Sequence, residues 1–222
     1  MAAKRKTRPP AITGHRTRVG QERRARTRSH IIATALQVFA AKGPDTPVID
    51  DFIRAAGVAR GTFYNYFTST QDLLTAVSTS LEDDLIRAIE SEIGALEDPA
   101  LRLATGLRLW LRWSQSDPTW CGFVVRSRFR GAMVERTLQK DLLDGRKAGA
   151  LEFASVEAAR DVVVGTVLEA MHRILTTRVS RSYPDEVARC VLQALGIERR
   201  TVTRLLDRPL PALNRPGRGV RL

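Results

Sequence analysis

Hydrophobic positions recur along this chain at helical spacing, and no alternating run of polar and apolar residues marks a β-strand. A first helix is predicted from about Glu22. Ile32, Ala35 and Phe39, with Ile31, Leu36 and Val38 beside them, set its i, i+3, i+4, i+7 face, and Lys42-Gly43-Pro44 closes it. Thr46 and Pro47 suit the N-cap and first position of a second, short helix. Asp50 and Asp51 lie near the positive end of that helix's dipole, and Val48, Phe52 and Ile53 supply its inward face. Gly57 suits its end. A third short helix covers about Ala59 to Tyr66, with Phe63 and Phe67 as inward anchors. Ser69 to Asp72 then forms a capping box for a long helix reaching about Leu96. Its apolar face carries Leu74, Val77, Leu81, Leu85, Ile89 and Ile93.

The second half continues the pattern. One helix runs from about Pro99 to Ser114, with Leu101, Leu103, Leu107, Trp110 and Leu111 inward, and Ser116-Asp117-Pro118 breaks it. A short piece covers Thr119 to Val125. The next helix, about Arg126 to Ala148, carries Phe129, Met133, Leu138, Leu142 and Leu143. Val156 to Thr177 is apolar on more than one face, which predicts burial on both sides. Val187, Cys190, Val191, Ala194 and Leu195 mark a helix from Tyr183-Pro184 to Gly196, and a last one spans about Glu198 to Asp207. There are no internal repeats. The fold class is all-α.

Charge adds an asymmetry that periodicity does not show. The net charge is +12, but residues 1–30 carry +9 and residues 208–222 carry +4, leaving −1 for residues 31–207. A near-neutral body with a basic arm suggests a polyanion at one end. Residues 1–22 lack apolar periodicity and read as a disordered basic arm, and 208–222 as a disordered basic tail. With 43% hydrophobic and 27% charged residues, the composition is that of an ordinary globular chain. No apolar run approaches the roughly 20 residues needed to span a bilayer, and the N-terminus lacks a secretion signal's apolar core. Membrane attachment is not expected, and the cytoplasm, beside the nucleoid, is the expected location. Cys121 and Cys190 stand alone, and with histidines only at 15, 30 and 172, neither a metal site nor a cofactor is expected.

Two short helices joined through Ala55-Ala56-Gly57 have the layout of a helix-turn-helix, whose second helix enters the major groove of DNA. Arg60 begins that helix, where a guanidinium can contact guanine O6 and N7. Gly61 lets the backbone approach the groove wall. Thr62 suits a thymine methyl or a phosphate, and Asn65 an adenine or the backbone. A seven-residue helix bearing Arg, Thr, Asn and two Tyr makes little sense as a core element.

The run A-G-V-A-R-G-T-F-Y-N-Y-F, following a short acidic helix, resembles the DNA-binding segment of the tetracycline-repressor (TetR) family, most sharply over residues 24–84. The resemblance implies a three-helix DNA-binding domain over 24–84 and a helical-bundle effector-binding and dimerisation domain over 85–207. It also implies that the hydroxyls of Tyr64 and Tyr66 hold phosphates. Arg24 and Arg28 join the expected DNA-binding set from the basic arm, with Thr46 and Thr70. Three positions depart from the family pattern. Pro47 stands where a hydroxyl is usual, Ala59 where Ser often caps the reading helix, and Thr70 where Lys is usual.

By the same resemblance the chain is a dimer through helices near 156–177 and 184–195. It grips a palindromic operator and is released by a small, largely apolar effector. The expected pocket lining is Trp110, Trp113, Trp120, Phe123, Met133, Met171 and His172. Two other classes stay in view. An enzyme is disfavoured, because no phosphate loop, nucleophile elbow or metal cluster is present. A helical ligand-binding or protein-interaction module without DNA binding leaves Arg60, Tyr64 and Tyr66 on one short helix unexplained.

Overall fold

The computed structural model describes residues 13–127 and 131–213, and the described residues form ten α-helices and no strand. The chain divides into two compact units, residues 1–70 and 71–222. The sequence sets the corresponding boundary at 84/85, inside the long helix, whereas the contacts divide the chain where that helix begins.

The first unit holds α1 (Thr13–Lys42), α2 (Ile49–Ala56) and α3 (Arg60–Tyr64). Its core is the predicted one. Ile31, Ile32, Ala35, Leu36 and Phe39 of α1 are buried with Phe52 and Ala56 of α2, and with Phe63 and Phe67. The Phe39 and Phe52 rings sit 4.8 Å apart. His30 Nε2 lies 3.0 Å from the Ala56 carbonyl, tying α1 to the end of α2. Gly57 takes φ 61°, a left-handed conformation that lets the chain turn at once into α3.

Two local expectations change. Helix α1 starts at Thr13, although residues 13–22 show no apolar face. Periodicity reports burial rather than helicity, and residues 18–22 are exposed, with an Arg18–Glu22 pair one turn apart at 3.2 Å. The expected disorder of residues 1–12 and 214–222 lies outside the described residues. Helix α2 starts at Ile49 rather than near Pro47, with Val48 at its N-cap. Asp51 reaches back to accept the Val48 N–H at 3.1 Å, half of a capping box that needs no side chain from the cap residue. Val48, expected inward, is exposed, and Pro47 is buried, because that later start shifts the inward face.

The second unit runs from α4 (Thr70–Ile93, shared at its first residue) through α5 (Pro99–Ser116), α6 (Pro118–Ser127), α7 (Ala132–Lys147), α8 (Val156–Thr176), α9 (Tyr183–Ala194) and α10 (Arg199–Leu206). Asp98 caps α5 by accepting the Ala100 N–H at 2.9 Å and the Leu101 N–H at 3.3 Å. Helix α5 lies at the centre, in contact with α6, α7, α8, α9 and α10, and is buried almost around its circumference. That role was expected of α8. Helix α8 instead leaves Val162 41% and Leu175 37% exposed among the described residues. The chain between α6 and α7 includes Phe129, expected inward, which lies outside the described residues.

Candidate functional site

In the first unit, the short α3 and the exposed face of α1 make one surface. Arg23, Arg24 and Thr27 of α1 line a concavity with Thr62, Asn65 and Tyr66. Arg24 Nη2 donates to the Asn65 carbonyl at 3.4 Å, and its guanidinium sits 5.7 Å from the centre of the Tyr66 ring. Arg28 lies 5.4 Å from the Phe67 ring. Two cationic side chains are thus braced on aromatic faces while remaining exposed, which suits phosphate contacts. The anchors hold from below. Phe63 and Phe67 are buried, and the turn after Tyr64 tightens through the Tyr66 and Phe67 N–H groups, which both donate to the Phe63 carbonyl.

Arg60 is the first residue of α3, and its guanidinium is ion-paired with Asp50, the second residue of α2. The sequence reading assigned Asp50 only to the helix dipole. Its nonlocal partner becomes visible once α2 and α3 are folded against each other. Gly61 has an ordinary φ, and a Cβ added there would meet nothing within 4 Å, so no internal packing demands glycine. Tyr64 and Asn65 are exposed, and Thr62 and Tyr66 half-buried. Thr46 is exposed, two residues before the α2 cap, and Thr70 is half-buried at the start of α4. On the opposite side, Lys42 donates to Asp51 at 2.7 Å. That bond, with the Val48 N–H, holds the Asp51 carboxyl below the usual carboxylate range.

The second unit holds an apolar cavity of about 120 Å³, partly open to solvent. Its walls come from five helices. Ile86, Ile89 and Ile93 of α4 face Leu103, Gly106, Leu107 and Trp110 of α5. Val124 of α6, Val134 and Leu138 of α7, and Val163, Val164, Val167, Leu168 and Met171 of α8 complete the apolar lining. Of the seven residues expected there, Trp110 and Met171 line the cavity, joined by a 3.3 Å bond from the indole N–H to the thioether sulfur. Trp120 is buried edge-on against Trp110 at 5.2 Å and donates to the Leu81 carbonyl. Phe123 is buried, Trp113 and Met133 pack half-buried at the core, and His172 faces outward.

Four polar residues at the cavity escaped the sequence reading: Glu82 and Glu90 of α4, and Thr137 and Asp141 of α7. The available signal was a carboxylate on an apolar helical face. Glu82, Ile86, Ile89, Glu90 and Ile93 share one stripe of α4. Arg102 of α5 binds two of these acids. Its Nε donates to Asp141 at 3.1 Å, Nη2 to both Glu90 oxygens at 3.0 Å, and Nη1 to the Ile93 carbonyl at 3.1 Å. Burial pushes the Asp141 carboxyl up, against the pull of Arg102. Among the described residues, no group of three or more His, Cys, Asp or Glu could hold a metal ion.

A helix-turn-helix unit followed by a helical unit with an apolar cavity defines a class: one-chain DNA-binding regulators that carry their own ligand site. Family models place the chain within it. Residues 31–77 match bacterial regulatory proteins of the tetR family, and residues 98–208 match the tetracyclin repressor-like C-terminal domain. The chain belongs to the TetR family of helix-turn-helix transcriptional regulators. It is 35% identical over 68 residues to the transcriptional regulator YvdT of Bacillus subtilis (strain 168), covering 31% of this chain and 35% of that protein. It is 32% identical over 79 residues to the transcriptional repressor DhaR of Mycobacterium sp. (strain GP1), covering 36% and 40%. The chain thus aligns with about a third of the length of these curated relatives. Among solved structures, it is similar to RolR in complex with the ligand resorcinol, with a TM-score of 0.71 and 25% identity over 87% of this chain and 100% of that one. Among the described residues, no helix is long and apolar enough to cross a membrane.

Proposed function

We propose that this chain is a cytoplasmic, non-catalytic repressor that binds a palindromic operator as a dimer and is released by a small, largely apolar effector. The observation that carries the DNA reading is the surface where Arg24, Thr62, Asn65 and Tyr66 surround one concavity beside Arg60. In this reading Arg60 exchanges the Asp50 carboxylate for a guanine edge. Arg24, Arg28, Tyr64 and Tyr66 hold phosphates, and Thr62 and Asn65 contact bases or backbone. Thr46 and Thr70 flank the surface. Effector occupancy acts through α4, whose first residue, Thr70, ends the reading unit. The cavity's apolar walls support an apolar effector, and the resorcinol held by RolR supports one as small as a single ring.

The dimer reading rests on the outer face of α8 and α9. Val162, Leu175, Cys190 and Ala194 are exposed there in the single chain. Cys121 is buried, its thiol pushed up to about 12 by burial, so Cys190 is the reactive one. Its alkylation slows with rising protein concentration if α9 is the dimer face.

Selection from a random duplex pool tests the function as a whole. Enrichment of a palindrome with half-sites about 10 base pairs apart, or a multiple, is the expected result. No enrichment favours a ligand-binding or interaction module instead.

A further inference from the structure

The effector cavity is apolar over nearly all of its lining, and its few polar residues include carboxylates but no cation. Glu90 of α4 and Asp141 of α7 are among its lining residues, and Thr137 stands one helical turn before Asp141. The neighbouring cation, Arg102, does not line the cavity. It is engaged by four hydrogen bonds to Glu90, Asp141 and the Ile93 carbonyl. Two carboxylates therefore share one guanidinium, which leaves an excess negative charge against an apolar wall. Arg102 takes Oδ1 of Asp141, while Oδ2 accepts no hydrogen bond among the described residues. An ionised carboxylate only accepts, so its natural complement is a donor.

We propose that the Glu90–Asp141 end of the cavity receives a hydrogen-bond donor of the effector, a hydroxyl or an ammonium group, and rejects carboxylate-bearing molecules. This rests on the reading of the cavity as the effector site. A donor placed there adds a charge-assisted bond in a low-dielectric site, where such bonds are strong. An anion at the same place meets like charge and finds the guanidinium already occupied. The burial that raises Asp141 makes a donor more welcome, because the donor offsets the cost of keeping that carboxylate charged. Glu90 sits on α4 itself, so the same contact that recognises the donor loads the helix that leads to the reading unit.

Four single-ring probes matched in size test the assignment by calorimetry on the full chain. They are resorcinol, 3-hydroxybenzylamine, m-xylene and 3-hydroxybenzoate. Resorcinol and 3-hydroxybenzylamine are expected to bind at least tenfold tighter than m-xylene, with 3-hydroxybenzoate weakest. Asp141→Asn and Glu90→Gln each shrink the preference for donors toward one, and m-xylene binding certifies that the cavity has formed in each variant. Two outcomes overturn the assignment while leaving the effector cavity standing: 3-hydroxybenzoate binding as tightly as resorcinol, or a donor preference unchanged in both variants. Binding of none of the four overturns the effector reading together with it.

Discussion

Arg60 and Arg102 are both held by carboxylates, yet the two ion pairs are built for opposite purposes. Arg60 and Asp50 are 60% and 56% exposed, and each is fixed on its own short helix. An exposed pair of this kind contributes about 0–1 kcal/mol, so a phosphate or a guanine edge can take Arg60 from Asp50 at little cost. Arg102 and Asp141 are only 10% and 8% exposed, and Arg102 of α5 draws on α4 and α7 at once. Breaking such a buried cluster leaves an uncompensated charge. On the proposed reading, the DNA surface holds Arg60 loosely, ready to trade partners, while Arg102 stays fixed behind the cavity wall.

Breaking each pair separately sharpens the contrast. Arg102→Met strands Glu90 and Asp141 without their cation, and loses about 3–5 kcal/mol of stability by denaturant unfolding. Removing all three charges together, with Glu90→Gln and Asp141→Asn added, recovers most of that loss. Arg60→Ala leaves the unfolding midpoint nearly unchanged but weakens operator binding by about 1–3 kcal/mol in a fluorescence-anisotropy titration. Arg24→Ala and Arg28→Ala act on phosphates rather than bases. Each lowers the slope of log affinity against log salt by about 1, equally on specific and random duplexes. Asp50→Asn has the smallest effect. With no carboxylate to hold Arg60 back, affinity for random duplex rises severalfold, and the ratio of specific to random binding falls. If Asp50→Asn lowers both affinities alike, Asp50 serves the fold of α2 rather than restraint of Arg60.

The same two regions explain what was legible in the sequence. The proposed reading surface lies in consecutive residues, so Arg60, Thr62, Tyr64, Asn65 and Tyr66 could be named as candidates from their order, with Phe63 and Phe67 as anchors. Its missed member, Asp50, is ten residues from its partner and belongs to another helix. The cavity is an arrangement of five helices, and no local pattern reports which faces leave a gap between them. Trp120, Phe123 and Trp113 were natural candidates by type, but packing turned them into the core. Glu90, Thr137 and Asp141 carried the signal that mattered, polar groups on apolar helical faces, and were hidden among ordinary surface charges. The start of α1 was missed for the opposite reason, since exposed residues such as 18–22 leave no apolar trace.

The central claim is that sequence-specific DNA binding resides in the surface around Arg60. The most direct measurement is a parallel selection from one random duplex pool with the native chain and with Arg60→Ala. The account predicts a palindrome with a guanine fixed in each half-site by the native chain, and loss of that guanine preference, with the phosphate-driven affinity retained, in the variant. An identical consensus from both proteins, or no consensus from the native chain, would contradict it.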